Sequence, residues 1–171
     1  MTRPGWPALL AGLAVGLCAG AAPAGTLEGH LVTFHVMTWD DPEALIFDSK
    51  GRTVVVDARQ EFGLEPEGLV PGFDIVPAQV EIGPTRVEVG YDDGISGRFY
   101  DSVFNGYVLR FEAQCALFES HRIDADATTM PLTEAHVFTR GNALYINVAD
   151  MDYGPEARLA IEMEVADCPL S

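Results

Sequence analysis

Apolar and polar residues alternate with a period of two along most of this 171-residue chain. The clearest run is 159–165, where four large apolar residues alternate with one alanine and two glutamates, and the pattern recurs at 86–91 and 144–148. Successive side chains of a β-strand point to opposite faces, so this alternation predicts strands with one buried and one solvated face. Further strands are predicted at 30–37, 52–56, 73–76, 79–82, 98–104, 107–115, 118–123 and 136–139.

Residues that favour turns separate these strands. Asp48-Ser49-Lys50-Gly51 and Asp92-Asp93-Gly94 are typical of chain reversals, Gly83-Pro84 breaks the chain, and Arg140-Gly141-Asn142 is typical of a hairpin tip. The longest predicted loop is 61–72.

Helical patterns are almost absent. Residues 42–44 and 131–134 predict at most single helical turns, and no segment carries an apolar stripe with helix caps. Many short strands at regular spacing predict an all-β fold. We expect a single antiparallel β-sandwich, jelly-roll or immunoglobulin-like, with little helix outside a leader.

The first 24 residues are typical of a secretory signal peptide. Arg3 supplies the positive charge, and residues 8–22 form an uncharged stretch of 15 residues, shorter than the ~20 that a membrane-spanning helix needs. A lipid anchor at Cys18 is the alternative, although a bulky leucine precedes it. We expect cleavage after Ala24, a periplasmic or secreted protein, and one folded domain over 25–171.

Two cysteines remain once such a leader is removed. In an oxidising compartment, Cys115 and Cys168 are expected to form a disulfide bond. Two separate buried thiols are the alternative. Without nearby histidines, the pair does not match a zinc site.

The charge balance restricts the partners. The chain has 26 acidic and 10 basic residues, and its formal net charge is −16. Binding to nucleic acid needs clustered basic residues, whereas this chain has a single lysine and scattered arginines. An anionic membrane surface repels such a chain as well. We therefore expect no nucleic-acid or anionic-membrane partner, and consider an envelope protein or a glycan instead.

Short motifs in the second half carry a family resemblance. They are Phe104-Asn105-Gly106-Tyr107, the run Asp124-Ala125-Asp126-Ala127-Thr128-Thr129 and Tyr145-Ile146-Asn147-Val148, and the earlier Phe73-Asp74-Ile75 and Val87-Glu88-Val89 fit the same order. Over 54–165 the chain resembles secreted bacterial domains that often precede a PEP-CTERM-type sorting tail.

The resemblance implies a β-sandwich outside the cell and brings no established catalytic residues. Beyond the last predicted strand this sequence shows no Pro-Glu-Pro motif, terminal apolar helix or basic tail. We therefore do not expect surface sorting by that route.

Nucleophilic and histidine-based chemistry has little support. The stretch Gly94-Ile95-Ser96-Gly97 lacks the spacing of a nucleophile elbow. His30 and His35 lie five residues apart on one predicted strand, which places them on opposite faces and not together as metal ligands. No catalytic residue is predicted.

Carboxylates are the abundant functional groups. Closely spaced acids can supply the oxygen ligands of calcium, and Asp150, Asp152 and Glu156 are the candidate set. Their segment differs from an EF-hand loop, because Ile161 stands where the bidentate glutamate should be. The interpretation we favour is that these acids are solvated and end strands. A pair of carboxylates about 5–9 Å apart would instead serve a glycoside hydrolase.

Aromatic residues are the remaining clue. Trp39 lies beside two aspartates, and Tyr91, Phe99, Tyr100 and Tyr107 crowd the centre of the chain. Such rings stack on sugars, contact a protein partner or fill a core. The hypothesis is an exported, non-catalytic binding or structural module of the bacterial cell envelope. The alternatives are a calcium- or carbohydrate-binding module and a carboxylate-based hydrolase. No cofactor is expected, with calcium as the one candidate.

Overall fold

A computed structural model describes residues 25–57, 60–62, 75–91 and 94–170. The predicted leader and most of the predicted loop at 61–72 lie outside these residues. One turn of 3-10 helix, Glu134–His136, is the helical structure in the described part. The strands are β1 (Leu31–Asp41), β2 (Ala44–Asp48), β3 (Arg52–Val55), β4 (Gln60–Phe62), β5 (Ala78–Ile82), β6 (Arg86–Tyr91), β7 (Gly97–Arg98), β8 (Phe104–Phe111), β9 (Phe118–Ile123), β10 (Val137–Arg140), β11 (Ala143–Asn147), β12 (Asp152–Tyr153) and β13 (Arg158–Val165).

Two antiparallel sheets pack face to face. Sheet A has the order β10-β11-β8-β1-β2. β3 lies on the same edge as β2 and pairs with the first residues of β1. Sheet B has the order β4-β5-β6-β13-β9, and β7 and β12 form a separate two-stranded ribbon. The prediction of an all-β antiparallel sandwich is confirmed.

The core lies between the sheets and follows the alternation. In β13, Leu159, Ile161, Met163 and Val165 are buried, whereas Glu164 on the opposite face is exposed. Burying one large aliphatic side chain contributes about 1.5–3 kcal/mol, so each alternating strand adds several such contributions. Period two in the sequence therefore directly sets which side chains fill the core.

One predicted reversal is wrong. The chain does not turn back at Asp48-Ser49-Lys50-Gly51, because β2 and β3 both pair antiparallel with β1 and continue each other along one sheet edge. Lys50 and Gly51 instead adopt left-handed backbone angles, with φ of 65° and 72°. These residue types suit a break within an edge strand as well as they suit a reversal.

The true reversal comes earlier. Pro42 and Glu43 form the tight turn between β1 and β2, where a helical turn was predicted, and Asp41 pairs with Ala44 across it. The predicted hairpin tip at Arg140-Gly141-Asn142 is confirmed, with Gly141 at φ 57°. The predicted reversal at Asp92-Asp93 lies outside the described residues.

Several predicted strand limits also change. The prediction of one strand over 98–104 is wrong, because β7 ends at Arg98 and 99–103 is irregular until β8 begins. The strand predicted over 107–115 ends at Phe111. Of the strand predicted at 73–76, the described residues 75–76 are not strand.

A disulfide bond closes one end of the sandwich. Cys115 follows β8 of sheet A and Cys168 follows β13 of sheet B, with their Cα atoms 5.9 Å apart. The predicted pairing is confirmed. Because disulfides persist in oxidising surroundings, the bond indicates an oxidising, non-cytoplasmic environment. We call this the closed end.

Asn142 adds polar contacts at the closed end. Its Nδ2 donates to the carbonyls of Ala113 and Cys115, at 3.2 and 2.9 Å, and its Oδ1 accepts from the N–H of Leu117 at 2.9 Å. One side chain therefore satisfies three backbone groups of the loop that carries Cys115.

None of the helices in the described ranges is long and apolar enough to cross a membrane.

Candidate functional site

The opposite end of the sandwich contains a cavity. β8 begins at this open end with Phe104 and ends at the closed end with Phe111. The cavity lies beside the first residues of the strand. Its volume is about 470 Å³, within the size range of small-molecule sites. We call it the open-end cavity. Its described lining comprises Val36, Thr38, Ile46, Phe47, Ile75, Val76, Arg98, Phe99, Tyr100, Asn105, Gly106, Tyr107 and Tyr153.

A buried polar pair lies in the wall formed by sheet A. Thr38 of β1 and Asn105 of β8 are direct cross-strand neighbours, and the Thr38 hydroxyl donates to Asn105 Oδ1 at 3.1 Å. Asn105 Nδ2 donates to the carbonyl of Tyr100 at 3.0 Å, and the residue is 9% exposed. An asparagine side chain has two donors and two lone pairs, so one donor and one acceptor site remain beyond these bonds. The wall can therefore bind a polar group of a ligand.

The other walls are aromatic. Phe99 packs against Tyr153 at 4.9 Å between ring centroids and meets Tyr107 edge-on at 6.4 Å. The Tyr107 hydroxyl donates to the hydroxyl of Tyr91 at 3.1 Å, which in turn donates to the sulfur of Met130. Burial raises the pKa of Tyr91 and Tyr107 well above the usual value near 10, so both hydroxyls stay neutral even in alkaline solution where an exposed tyrosine ionises.

The mouth of the cavity carries exposed apolar side chains. Tyr100 is 66% exposed and Ile46 is 43% exposed, although both line the cavity. Ile46 is the extra residue of a β-bulge in β2, because Phe47 pairs with Thr38 whereas Leu45 pairs with the next residue, Trp39. Bulges redirect side chains and are common beside binding sites.

Arg98 organises two of the three calcium candidates. Its Nε donates to Asp150 at 2.7 Å and its Nη1 donates to Asp152 at 3.1 Å. Arg98 holds the pKa of Asp150 below its usual range through this bond. A guanidinium therefore already binds the oxygens that a cation would need.

Glu156 does not take part in this ion-pair group. Its backbone carbonyl accepts a hydrogen bond from the hydroxyl of Thr129 at 2.6 Å. Within the described ranges, no group of three or more His, Cys, Asp or Glu side chains is placed to hold a metal ion.

The acids of the 124–126 motif also have local partners. Arg86 donates to Asp124 at 2.5 Å and to Glu162 at 2.7 Å, and it contacts Glu88 as well. The bond to Arg86 is the main cause that lowers the pKa of Asp124. This cluster lies on the outer face of sheet B, where the acids are ion-paired with Arg86.

The two histidines of the β1 segment have separate partners. His30 donates to the carbonyl of Glu112 at 3.2 Å, and His35 donates to the carboxylate of Asp48 at 2.9 Å. These contacts give each imidazole a structural role.

Most of the aromatic candidates fill the interior. Trp39 stacks on Phe104 at 3.9 Å on the outer face of sheet A and is 6% exposed. Tyr91, Phe99 and Tyr107 belong to the core between the sheets. Of the five aromatic residues singled out in the sequence, Tyr100 alone has a largely exposed ring.

Of the short motifs noted in the second half of the sequence, 104–107 supplies part of the cavity wall, and 145–148 lies beside it. Gly106 pairs with Asn147, which places the 104–107 and 145–148 motifs side by side. Asn147 Oδ1 accepts from the N–H of Asn105 at 3.0 Å, and its Nδ2 donates to the carbonyl of Val103 at 3.0 Å. The two asparagines therefore hold the irregular segment 99–103 against sheet A.

Sequence reasoning missed Thr38 and Asn105 as site residues. A signal was present, because Asn105 shares a strand face with Tyr107, Leu109 and Phe111. A polar residue in an otherwise apolar, buried face needs a partner or a ligand.

Comparisons with protein-family models, curated proteins and solved structures gave no match. The function is therefore inferred from the geometry of the site.

Proposed function

We propose that this protein is a non-catalytic binding module that is exported to the periplasm or secreted, and that the open-end cavity holds the apolar part of a small ligand. The observation that carries the proposal is the cavity itself, an aromatic chamber with one buried polar pair. An apolar pocket with a few convergent polar groups is the usual form of a small-molecule site.

The lining chemistry supports binding without catalysis. The described residues that line the cavity carry no carboxylate, imidazole or thiol, and their one charged group, Arg98, is held by two aspartates. Such a lining offers apolar contact and hydrogen bonds, and its threonine and tyrosine hydroxyls have no carboxylate or imidazole among the described lining residues to activate them.

The location of the protein is supported by two separate features. The first 24 residues are typical of an export leader, and the Cys115–Cys168 bond is suited to an oxidising compartment. The resemblance to secreted bacterial β-sandwich domains is consistent with a role in the cell envelope.

Binding of 1-octanol to the purified exported protein tests the cavity. We expect saturable binding in calorimetry, and a loss of at least tenfold in affinity in Ile46→Trp, because the larger ring fills the mouth. Leu45→Trp is the matched control, since Leu45 is the adjacent residue, is 46% exposed and does not line the cavity. Absence of octanol binding to the native protein, or equal losses in both variants, would overturn the proposal.

A further inference from the structure

We infer that the ligand of the open-end cavity is a small amphipathic cation, whose apolar body enters the cavity while its ammonium or guanidinium group lies at the mouth. This inference rests on the proposed function and specifies its ligand class. The distribution of charge around the mouth carries it.

Acidic residues flank three of the described lining segments in the sequence. Asp40 lies two residues beyond Thr38, Asp101 follows Tyr100, and Glu43 occupies the turn that leads into β2. All three are exposed. Asp40 is fixed in place, because its Oδ1 accepts from the N–H of Val103 at 3.1 Å.

Basic residues are missing from the same segments. The stretches 36–48 and 99–107, which supply most of the described lining, contain no lysine or arginine. Arg98 is bound by Asp150 and Asp152, so these three side chains together carry one negative charge when ionised. The mouth therefore has a negative electrostatic potential.

The interior complements that charge. The walls of the interior are apolar or aromatic, and the buried Thr38–Asn105 pair is neutral. A charged group of a ligand would therefore find no opposite charge inside the cavity. A cationic head group at the mouth stays close to water while it is attracted by nearby carboxylates. An anionic head group at the same place is repelled by them. The arrangement thus favours cation over neutral molecule, and neutral molecule over anion.

The test compares three probes with one tail: octylammonium, 1-octanol and octanoate. At low salt, octylammonium should bind about tenfold more tightly than octanol, which corresponds to about 1.4 kcal/mol, and octanoate should bind least. The advantage of octylammonium should shrink in 0.5 M NaCl, since ions screen exposed charges.

Two double variants separate a local effect from net charge. Asp40→Asn/Asp101→Asn should bring the affinity for octylammonium close to that for octanol, because the asparagine at 40 still accepts the bond from Val103. Glu81→Gln/Glu119→Gln is the control, because it removes the same charge from exposed residues of sheet B. The control should keep the preference.

The outcomes distinguish the two proposals. Octanol that fails to bind native protein refutes the proposed function itself. Octanol that binds as tightly as octylammonium refutes the cationic ligand and leaves the cavity as a binding site. A control variant that loses the preference as fully as the mouth variant also refutes it, because diffuse net charge would then explain the effect.

Discussion

The closed and open ends of the sandwich differ in the contacts that hold their connecting loops in place. At the closed end, a disulfide bond and the three hydrogen bonds of Asn142 hold the connecting loops. At the open end, the side chains of Asn105 and Asn147 hold the irregular segment 99–103 against sheet A, and a cavity of about 470 Å³ lies beside it. We therefore expect the closed end to contribute most to stability, whereas the proposed binding site lies at the open end.

Removal of the disulfide bond should have the largest effect. The bond joins residues 53 apart, so Cys115→Ser/Cys168→Ser should lower the free energy of unfolding by up to about 4 kcal/mol through loop entropy. Urea unfolding measures this loss. Octanol affinity in the folded variant should remain unchanged, since the cavity lies at the other end. A large loss of affinity would break the separation between the ends.

Alkaline pH should weaken the open end next. The buried hydroxyls of Tyr91 and Tyr107 have raised pKa values, so their stabilising contribution is complete below pH ~10 and is lost as pH rises towards the folded-state values. The free energy of unfolding should fall with pH at up to about 1.4 kcal/mol per pH unit for each tyrosine. Unfolding curves from pH 9 to 12 measure it.

Two phenylalanine variants check the source of that slope. Tyr91→Phe should remove about half of it, whereas Tyr100→Phe should leave it unchanged because the Tyr100 ring is mostly exposed. Equal slopes in both variants would contradict the assignment to the buried pair.

Truncation of Asn142 tests the closed end without touching the disulfide bond. Asn142→Ala leaves three backbone groups without their partner and should cost about 1–3 kcal/mol in unfolding free energy. Asn142→Asp keeps the acceptor for Leu117 but loses both donated bonds, so it should also destabilise. If Asn142→Ala unfolds like the native protein, the polar network contributes nothing at this end.

Acid pH should give a smaller effect at the open end. The pKa of Asp150 is lowered by Arg98, so its stabilising contribution is present above pH ~4 and is lost as pH falls through the lowered value. Asp150→Asn should flatten the acid limb of a plot of melting temperature against pH. Asparagine tolerates the left-handed backbone at this position, where φ is 59°. Glu119→Gln, an exposed acid, is the control and should keep the native profile.

Calcium should give no specific effect. Arg98 already binds Asp150 and Asp152, so calcium and magnesium at equal ionic strength should shift the melting temperature alike. Melting curves in chelator, calcium, magnesium and salt measure this. A shift produced by calcium alone, and abolished in Asp152→Asn, would restore the three-residue site as a hypothesis.

Alternation predicted the strands well where one face is buried and the other is solvated. β6 and β13 lie where the period of two placed them, because that pattern depends on neighbouring residues alone. It failed at 98–104, where the backbone is held by asparagine side chains and not by a neighbouring strand. The bond from Asn147 to Val103 joins residues 44 apart in the sequence, and no local pattern shows it.

Turn residues were less informative about whether the chain reverses its direction. Lys50 and Gly51 do adopt the left-handed conformations that turn residues favour, but in a break between two collinear strands. The same conformations occur in reversals and in bulges. The pairing with β1, which the segment itself does not encode, decides between them.

By itself, the sequence determined the strand periodicity, the acidic charge and the two cysteines available for pairing, because each is a property of composition or of adjacent residues. Tertiary structure decided that Arg98 binds acids more than 50 residues away, and that Thr38 and Asn105, 67 residues apart, meet across two strands. Strand pairing brings these groups together, and the pairing reflects how both sheets bury their apolar faces at once. The cavity exists for the same reason: its walls come from strands and loops that only the folded sandwich places side by side.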